Sequence, residues 1–268
     1  MARGRSETVL ARRVTSGGLV DEGRRPDEVI VEEPLEIRLD GVTVATTMRT
    51  PGHDFELAAG LCFTDGLLAS APIESCRYCG TGSAVETEFN VVSVDTGGRA
   101  PTPEPRLSTT SSSCGVCGTT QIDELTARLA SLPEYEPWSM SVVLGVVDAV
   151  RSSQQLFDLT GGVHAAAAFD RDGTVLFVRE DIGRHNAVDK IVGTMLLDGE
   201  LPATGRGLFV SGRASFEMVQ KAWAAGFEVL VAVSAPSALA VRTAEIAGLT
   251  LVGFVRDGSA NVYVGGGR

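Results

Sequence analysis

The chain has 268 residues, 44% of them hydrophobic, and a formal net charge of −11. That is enough apolar material for one large core or two ordinary ones. The acidic balance speaks against nonspecific nucleic-acid binding, which needs a surplus of Lys and Arg to neutralise phosphates.

In chain order, residues 1–25 hold Arg, Gly and Ser without periodicity and read as a disordered lead-in. "MARGRSETVLARRV" is basic but lacks the apolar centre of a secretory signal. No run approaches the ~18 apolar residues of a membrane helix, so a cytoplasmic protein with no membrane partner is expected. "VIVEEPLEIRLDGVTVATTMRT" predicts two strands joined at "LDG". "PGHDFELAAGLCFTDGLL" predicts a helix opened by Pro51, capped by Asp54 and stopped at Gly66. "EFNVVSVD" is a further short strand, and these pieces make a small α+β unit over residues 26–99.

From Arg99 to Ser113 the chain is rich in Pro, Ser and Thr and cannot build a core. Residues 100–118 therefore read as a flexible linker ending in a cysteine loop. Ile122, Leu125 and Leu129 stand at helical spacing, with Thr120 and Asp123 in the pattern of a helix start.

The last part, 119–268, alternates. "SVVLGVVDAVRSSQQLF" predicts one helix, and "VHAAAAFDRDGTVLFVRE" a hairpin turned at Asp172-Gly173. The helix "RHNAVDKIVGTMLL" follows. Three nearly continuous apolar strands, "GLFVS", "EVLVAVS" and "LTLVGFV", then alternate with "ASFEMVQKAWAA" and "LAVRTAEIA". Apolar strands separated by helices mean βαβ crossovers and a parallel sheet buried on both faces.

Five cysteines in an acidic, signal-less chain do not suggest a disulfide scaffold. Cys62 lies in an apolar run and reads as core. The others form two CxxC pairs, Cys76/Cys79 and Cys114/Cys117, and three chemistries compete for them. Zinc usually wants about 15–20 residues between such pairs, and here residues 80–113 intervene. Dithiol redox chemistry fits a CxxC at a helix start, where the helix N-terminus favours the thiolate. The linker spoils the βαβ context that a thioredoxin-like motif needs. Sulfur transfer requires a nucleophilic Cys with reach, and Gly115, Gly118 and the Ser/Pro segment supply conformational freedom.

"SSCGVCG", "GGVHAAA", "REDIGRHNAVDK", "GRASFEMVQKA", "VSAPSALAV" and "LTLVGF" occur in that order. Together they resemble the FdhD family over residues 28–265. The resemblance implies a sulfur carrier required for formate dehydrogenase activity, a carrier and transferase more than a turnover enzyme. Such a carrier accepts a persulfide from a cysteine desulfurase. It passes the sulfur to the molybdenum of a bis(molybdopterin guanine dinucleotide) cofactor before that cofactor enters formate dehydrogenase. By match to the family loop, Cys114 carries the persulfide and Cys117 is its partner. The family's cofactor-binding stretch falls on Phe254, Val255, Arg256, Asp257, Gly258 and Ser259. The cofactor is an acceptor contacted through its guanine nucleotide portion; no permanent cofactor and no resident metal are expected. The implied fold is a cytidine-deaminase-like layered α/β sheet with helices on both faces, beside the small N-terminal α+β unit.

Cys76 and Cys79 depart from the family pattern and keep a second reading open, a zinc-stabilised cofactor chaperone that moves no sulfur. Deamination is excluded by the ligand count. A zinc deaminase needs H-x-E on one helix and P-C-x-x-C on the next, whereas this chain offers "RHN" and "RASFE", with no Cys after Cys117. In an open α/β sheet ligands sit beyond the carboxyl ends of the strands. Those ends read "SGRAS", "SAPS" and "VRDGS", small and polar enough for phosphate and guanine, with Arg213 and Arg256 to neutralise charge. The polar cluster of Arg184, His185 and Asn186 marks His185 as a candidate pocket residue. His164, His53, Met218 and Trp223 read as structural. A homodimer would suit a cofactor of this size.

Overall fold

The structure is a computed structural model, and it describes residues 4–19, 23–78, 83–85, 87–103 and 129–265. Two sheets carry the fold. The first has four strands in the order β6-β5-β8-β7: β5 (Glu33–Leu39), β6 (Val42–Arg49), β7 (Ser75–Tyr78) and β8 (Val91–Asp95). The expected hairpin is β5–β6, and β5 also runs parallel to β8. Alternate residues of these strands, Leu35, Ile37, Leu39, Val92 and Val94, are fully buried. They meet Leu57, Ala58 and Cys62 of helix α1 (Asp54–Thr64).

The second sheet has six strands in the order β10-β9-β11-β12-β13-β14. They are β9 (His164–Asp170), β10 (Val175–Asp181), β11 (Arg206–Val210), β12 (Val229–Ala232), β13 (Thr250–Arg256) and β14 (Ser259–Val264). β11, β12 and β13 are parallel. Strand periodicity explains their continuous apolar sequences. Leu208, Leu230 and Leu251 face one core cluster, with helices α4 (Arg184–Leu197), α5 (Phe216–Ala225) and α6 (Ala238–Ala247). Phe209, Val229, Val231 and Val252 face the other, with Val143, Val146 and Val150 of α2 (Met140–Arg151). The result is the α/β sheet with helices on both faces that the resemblance implies. No helix among the described residues is long and apolar enough to cross a membrane.

Helix α1 is buried on both sides, because its other face crosses α4. A Cβ on Gly60 would lie 1.9 Å from the carbonyl oxygen of Asp189, and one on Gly193 would lie 1.8 Å from that of Glu56. The helices therefore meet backbone to backbone. Buried charges lock the seam. Lys190 Nζ sits 2.7 Å from Asp181 Oδ2 and donates to the Thr50 carbonyl at 2.9 Å. Lys221 Nζ sits 2.7 Å from Asp189 Oδ1 and donates to Thr64 Oγ1 at 2.8 Å. Asn186 Nδ2 donates to the Met48 carbonyl and to Asp181 Oδ1. Asp181, Asn186, Asp189 and Lys190 of "REDIGRHNAVDK" are thus joints between the two sheets.

Several expectations are corrected. Residues 6–11 of the lead-in form β1 (Ser6–Ala11), paired antiparallel with β4 (Arg25–Ile30); between them lie β2 (Val14–Thr15) and β3 (Gly18–Leu19). Both strands of the β1–β4 ribbon are largely solvent-facing, which is why no apolar alternation announced them. Asp54 is not a cap. His53 takes that place with φ 56°, while Asp54 is buried and bound by Arg49 Nη2 at 2.9 Å and Nε at 3.1 Å. The single helix expected over 141–157 is broken at Ser152–Gln154. A short helix α3 (Gln155–Thr160) follows, its first N–H groups at Leu156 and Phe157 donating to Glu180. Strands β7 and β14 were not expected. The segment holding Thr120, Ile122, Asp123 and Leu125 lies outside the described residues.

Gly60→Ala and Gly193→Ala should each cost about 3 kcal/mol or more, because backbone cannot yield as a side-chain tip can. Gly145→Ala, on the exposed side of α2 with nothing near the new methyl, should instead stabilise by ~0.5–1 kcal/mol. Urea melts of the three variants against wild type measure both signs.

Candidate functional site at the carboxyl edge of the large sheet

The carboxyl ends of β10, β11, β12 and β13 lie on one edge with the start of β9. The three small-residue segments noted in the sequence are stitched together there. Ser234 N–H donates to the Gly212 carbonyl at 3.3 Å, Ala214 N–H to that of Ala235 at 3.2 Å, and Ser237 N–H to that of Ala214 at 3.0 Å. Phe254 N–H donates to the Ser234 carbonyl at 3.2 Å. Helices α4, α5 and α6 all start from this edge. Ser237 caps α6 through Ala240 N–H, but Gly183 has no side chain and Ser215 turns its hydroxyl to Glu217 Oε2 at 2.7 Å.

Two hollows open here. The larger, about 550 Å³, lies between α2–α3 and the sheet and is lined by Asp148, Arg151, Gln154, Phe157, His164, Phe209, Ser211 and Val233, among others. Its polar lining comes from both sides, Asp148, Arg151 and Gln154 from the helices and His164 and Ser211 from the sheet. The smaller, about 300 Å³, is lined by Phe254, Arg256, Ser259, Ala260 and Asn261.

His164 and Ser211, on the wall of the larger hollow, adjoin the start of α4. His164 Nδ1 is 3.4 Å from Ser211 Oγ, which accepts from Ala165 N–H. Burial, and then the charges of Arg184 and His185, push the His164 imidazole below its usual range. His185 Nε2 stands 3.6 Å from Glu217 Oε2. That contact and the Ser215 hydroxyl pull the Glu217 carboxyl down to about 2. Burial and then the neighbouring charge of Arg213 hold Arg184 below the usual arginine range.

The expected cofactor stretch forms the β13–β14 hairpin and not a strand-to-helix turn. Phe254 has φ 55° and is 37% exposed; Asp257 and Gly258 have φ 49° and 69° and make the turn. Successive positive φ angles suit a tight hairpin with the strands' native twist. Ser259 Oγ donates to the Arg256 carbonyl at 3.0 Å. Val255 is the exception. It is 1% exposed and belongs to the core cluster under α2, so its side chain is closed to any ligand. Phe254, Arg256 and Ser259 do line one hollow.

Cys114 and Cys117, like Cys79, lie outside the described residues. Cys76 faces the core of the first sheet, where burial and the charge of Glu56 push its thiol up to about 11. Cys62 is fully buried, its thiol pushed up by burial. Among the described residues no group of three or more His, Cys, Asp and Glu is placed to hold a metal. Arg184 and His164, which the sequence alone did not single out as candidates, stand at the edge beside Gly212, and the larger hollow was not foreseen. The polar triplet at the start of "RHNAVDK" was the available signal. It splits, with Arg184 and His185 on the edge and Asn186 in the seam.

Residues 30–268 match the model of the FdhD/NarQ family. A protein named sulfur carrier protein FdhD from Streptomyces coelicolor is 49% identical over 254 residues, covering 91% of this chain and 89% of that one. Another of that name, from Mycolicibacterium paratuberculosis, is 47% identical over 259 residues, covering 94% and 95%. A crystal structure described as a formate dehydrogenase accessory protein from Desulfotalea psychrophila superposes with a TM-score of 0.78 at 24% identity, covering 97% of this chain and 98% of that one; at that identity the likeness is one of fold. The family match, and near-half identity over nine-tenths of the chain, lead to one conclusion: this chain is a member of the FdhD/NarQ family.

Proposed function

We propose that this protein is a sulfur carrier serving formate dehydrogenase, with Cys114 as the persulfide-bearing thiol and the carboxyl edge as the place where the sulfur acceptor is held. The acceptor is a substrate, the molybdenum bis(molybdopterin guanine dinucleotide) cofactor. The observation that carries the reading is the convergence of two small, polar loops and the 254–259 hairpin on one edge beside two hollows. Backbone N–H groups, hydroxyls and few bulky side chains suit phosphates and a guanine base. Phe254, held outward by its positive φ, offers a ring face for that base. The family membership supports the same reading.

The sulfur steps balance without an outside oxidant. The Cys114 thiolate attacks the terminal sulfur of a desulfurase persulfide. The desulfurase S–S bond breaks, its cysteine leaves as a thiolate, and Cys114 becomes the persulfide. Cys117 then attacks the inner sulfur of that persulfide. A Cys114–Cys117 disulfide forms and hydrosulfide leaves. Hydrosulfide replaces an oxo ligand on molybdenum, water departs with the protons, and the metal keeps its oxidation state. The two electrons come from the dithiol, and a cellular thiol reductant resets it.

Incubation with a cysteine desulfurase and cysteine should add about 32 Da per sulfur to the wild-type chain, read by intact-mass spectrometry. Cys114→Ala should show no increment and fail to mature formate dehydrogenase, whereas Cys117→Ala should load but deliver poorly. Stoichiometric zinc with no mass increment would replace this reading with a zinc-stabilised chaperone.

GDP, as a probe of the guanine end, should bind in calorimetry. Phe254→Ala should weaken it about tenfold, the worth of one base–aromatic stack. Val255→Ala should leave GDP affinity unchanged while lowering stability, because that side chain is in the core.

A further inference from the structure

The β1–β4 ribbon belongs to neither large sheet. The two strands pair only with each other, from Ser6 opposite Ile30 to Ala11 opposite Arg25. At about 3.3 Å per residue the ribbon runs for about 20 Å. Most of its positions face solvent, on both sides. Val9, Leu10, Val14 and Val29 are exposed along it and its β2 extension. A lone two-stranded ribbon is marginal in water, and this one covers no core of its own. The charges are sorted along it. Glu7, Asp27 and Glu28 lie towards the root, and Arg12, Arg13, Arg24 and Arg25 lie at the far end. Arg12, Arg13 and Arg24 are exposed and make no ion pair among the described residues. Even with Asp21 and Glu22 counted, the stretch from Arg12 to Arg25 has a surplus of arginine on a chain of net charge −11.

The root is fixed to the carboxyl edge of the large sheet. Arg5 Nη2 donates to the Glu180 carbonyl, at the end of β10, at 3.1 Å. Its side chain lies against Gly52, where a Cβ would stand 3.7 Å from Arg5 Cδ. Val31 N–H donates to the Arg5 carbonyl at 3.0 Å and ties the two strands together below the ribbon. Ile30 packs on Gly162, where a Cβ would stand 3.3 Å from its Cγ2, and Gly162 lines the larger hollow. The ribbon is thus anchored beside the hollow and uncovered over the rest of its length.

We propose that the β1–β4 ribbon is a docking arm, and that it seats an acidic surface of the protein that takes up the cargo, formate dehydrogenase. The arm rests on the reading that the sulfur acceptor is held at the carboxyl edge. Charge complementarity selects the kind of surface, since arginine forks match carboxylates. Charges at the rim of a contact act mainly on the rate of encounter. Leu10 and Val14 supply the apolar part that the partner covers. A client seated along the ribbon stands next to the hollow from which the acceptor leaves. A second copy of this chain seated there would cover that exit and receive nothing.

The test is biolayer interferometry of the full-length protein with purified, cofactor-free formate dehydrogenase from the same organism. Wild type should bind. The triple variant Arg12→Gln, Arg13→Gln, Arg24→Gln should associate about tenfold more slowly at low ionic strength, and the difference should shrink as salt screens the charges. A control that removes as many exposed arginines elsewhere, Arg77→Gln, Arg99→Gln, Arg242→Gln, should associate like wild type. Leu10→Ser with Val14→Ser should speed dissociation several-fold. All of these side chains are solvent-exposed, so the melting temperatures should stay near that of wild type.

No binding by wild type, or equal association by wild type and the ribbon triple variant, overturns the arm. So does an equal loss in the control triple variant, which would make the effect one of net charge. Sedimentation velocity of the protein alone supplies a further check. A change of oligomeric state in the ribbon variants would make the ribbon an interface between copies and overturn the client assignment. Loss of binding to the cysteine desulfurase, with the dehydrogenase contact intact, would overturn it as well. Persulfide loading of wild type, measured in parallel, separates the two proposals. Loading without a ribbon effect sinks the arm alone, and ribbon-dependent binding without loading sinks the sulfur-carrier reading alone.

Discussion

The architecture depends on the crossing of α1 and α4. Two glycines let the helices approach until each would-be Cβ coincides with a facing carbonyl oxygen. At that range there is no room for side chains, so the apolar faces of the two sheets are joined through backbone. What fixes the register is charge. Lys190 and Asp181 are both 0% exposed, and each has further partners that satisfy its remaining hydrogen-bonding capacity. Removing two charges from water is costly, and such a pair adds little net stability over an apolar one. Its effect is on specificity, since sliding either helix would leave a buried ion alone.

This seam also aims the site. Arg184 and His185 precede Asn186, Asp189 and Lys190 on one helix, so the joint that anchors the helix holds its first turn at the sheet edge. Gln220 and Lys221 do the same for α5, reaching the C-terminal turn of α1 through Thr64. The motif residues therefore have two tasks: those on the buried side position the helix, and those in the first turn present charge.

Helices α4 and α5 both start at the carboxyl edge of the large sheet without a side-chain cap. The positive ends of their dipoles favour an anion there.

The sequence by itself determined the elements with strong periodicity. The β5–β6 hairpin, α1, the Asp172-Gly173 turn and the alternation of apolar strands with helices were legible, because each buries a face or a whole strand and the pattern records it. The small polar character of the three loops was also visible. Only the tertiary structure decided the rest. β1 and β4 are exposed and leave no pattern. Asp54 was drawn from capping to an ion pair by Arg49, a partner in another element. Val255 turned inward because strand alternation continues past the point where the motif suggests a loop. Asn186 reaches the Met48 carbonyl and Lys190 that of Thr50, so these bonds join residues from distant elements, and no local spacing encodes a contact that only the packing of the two sheets creates.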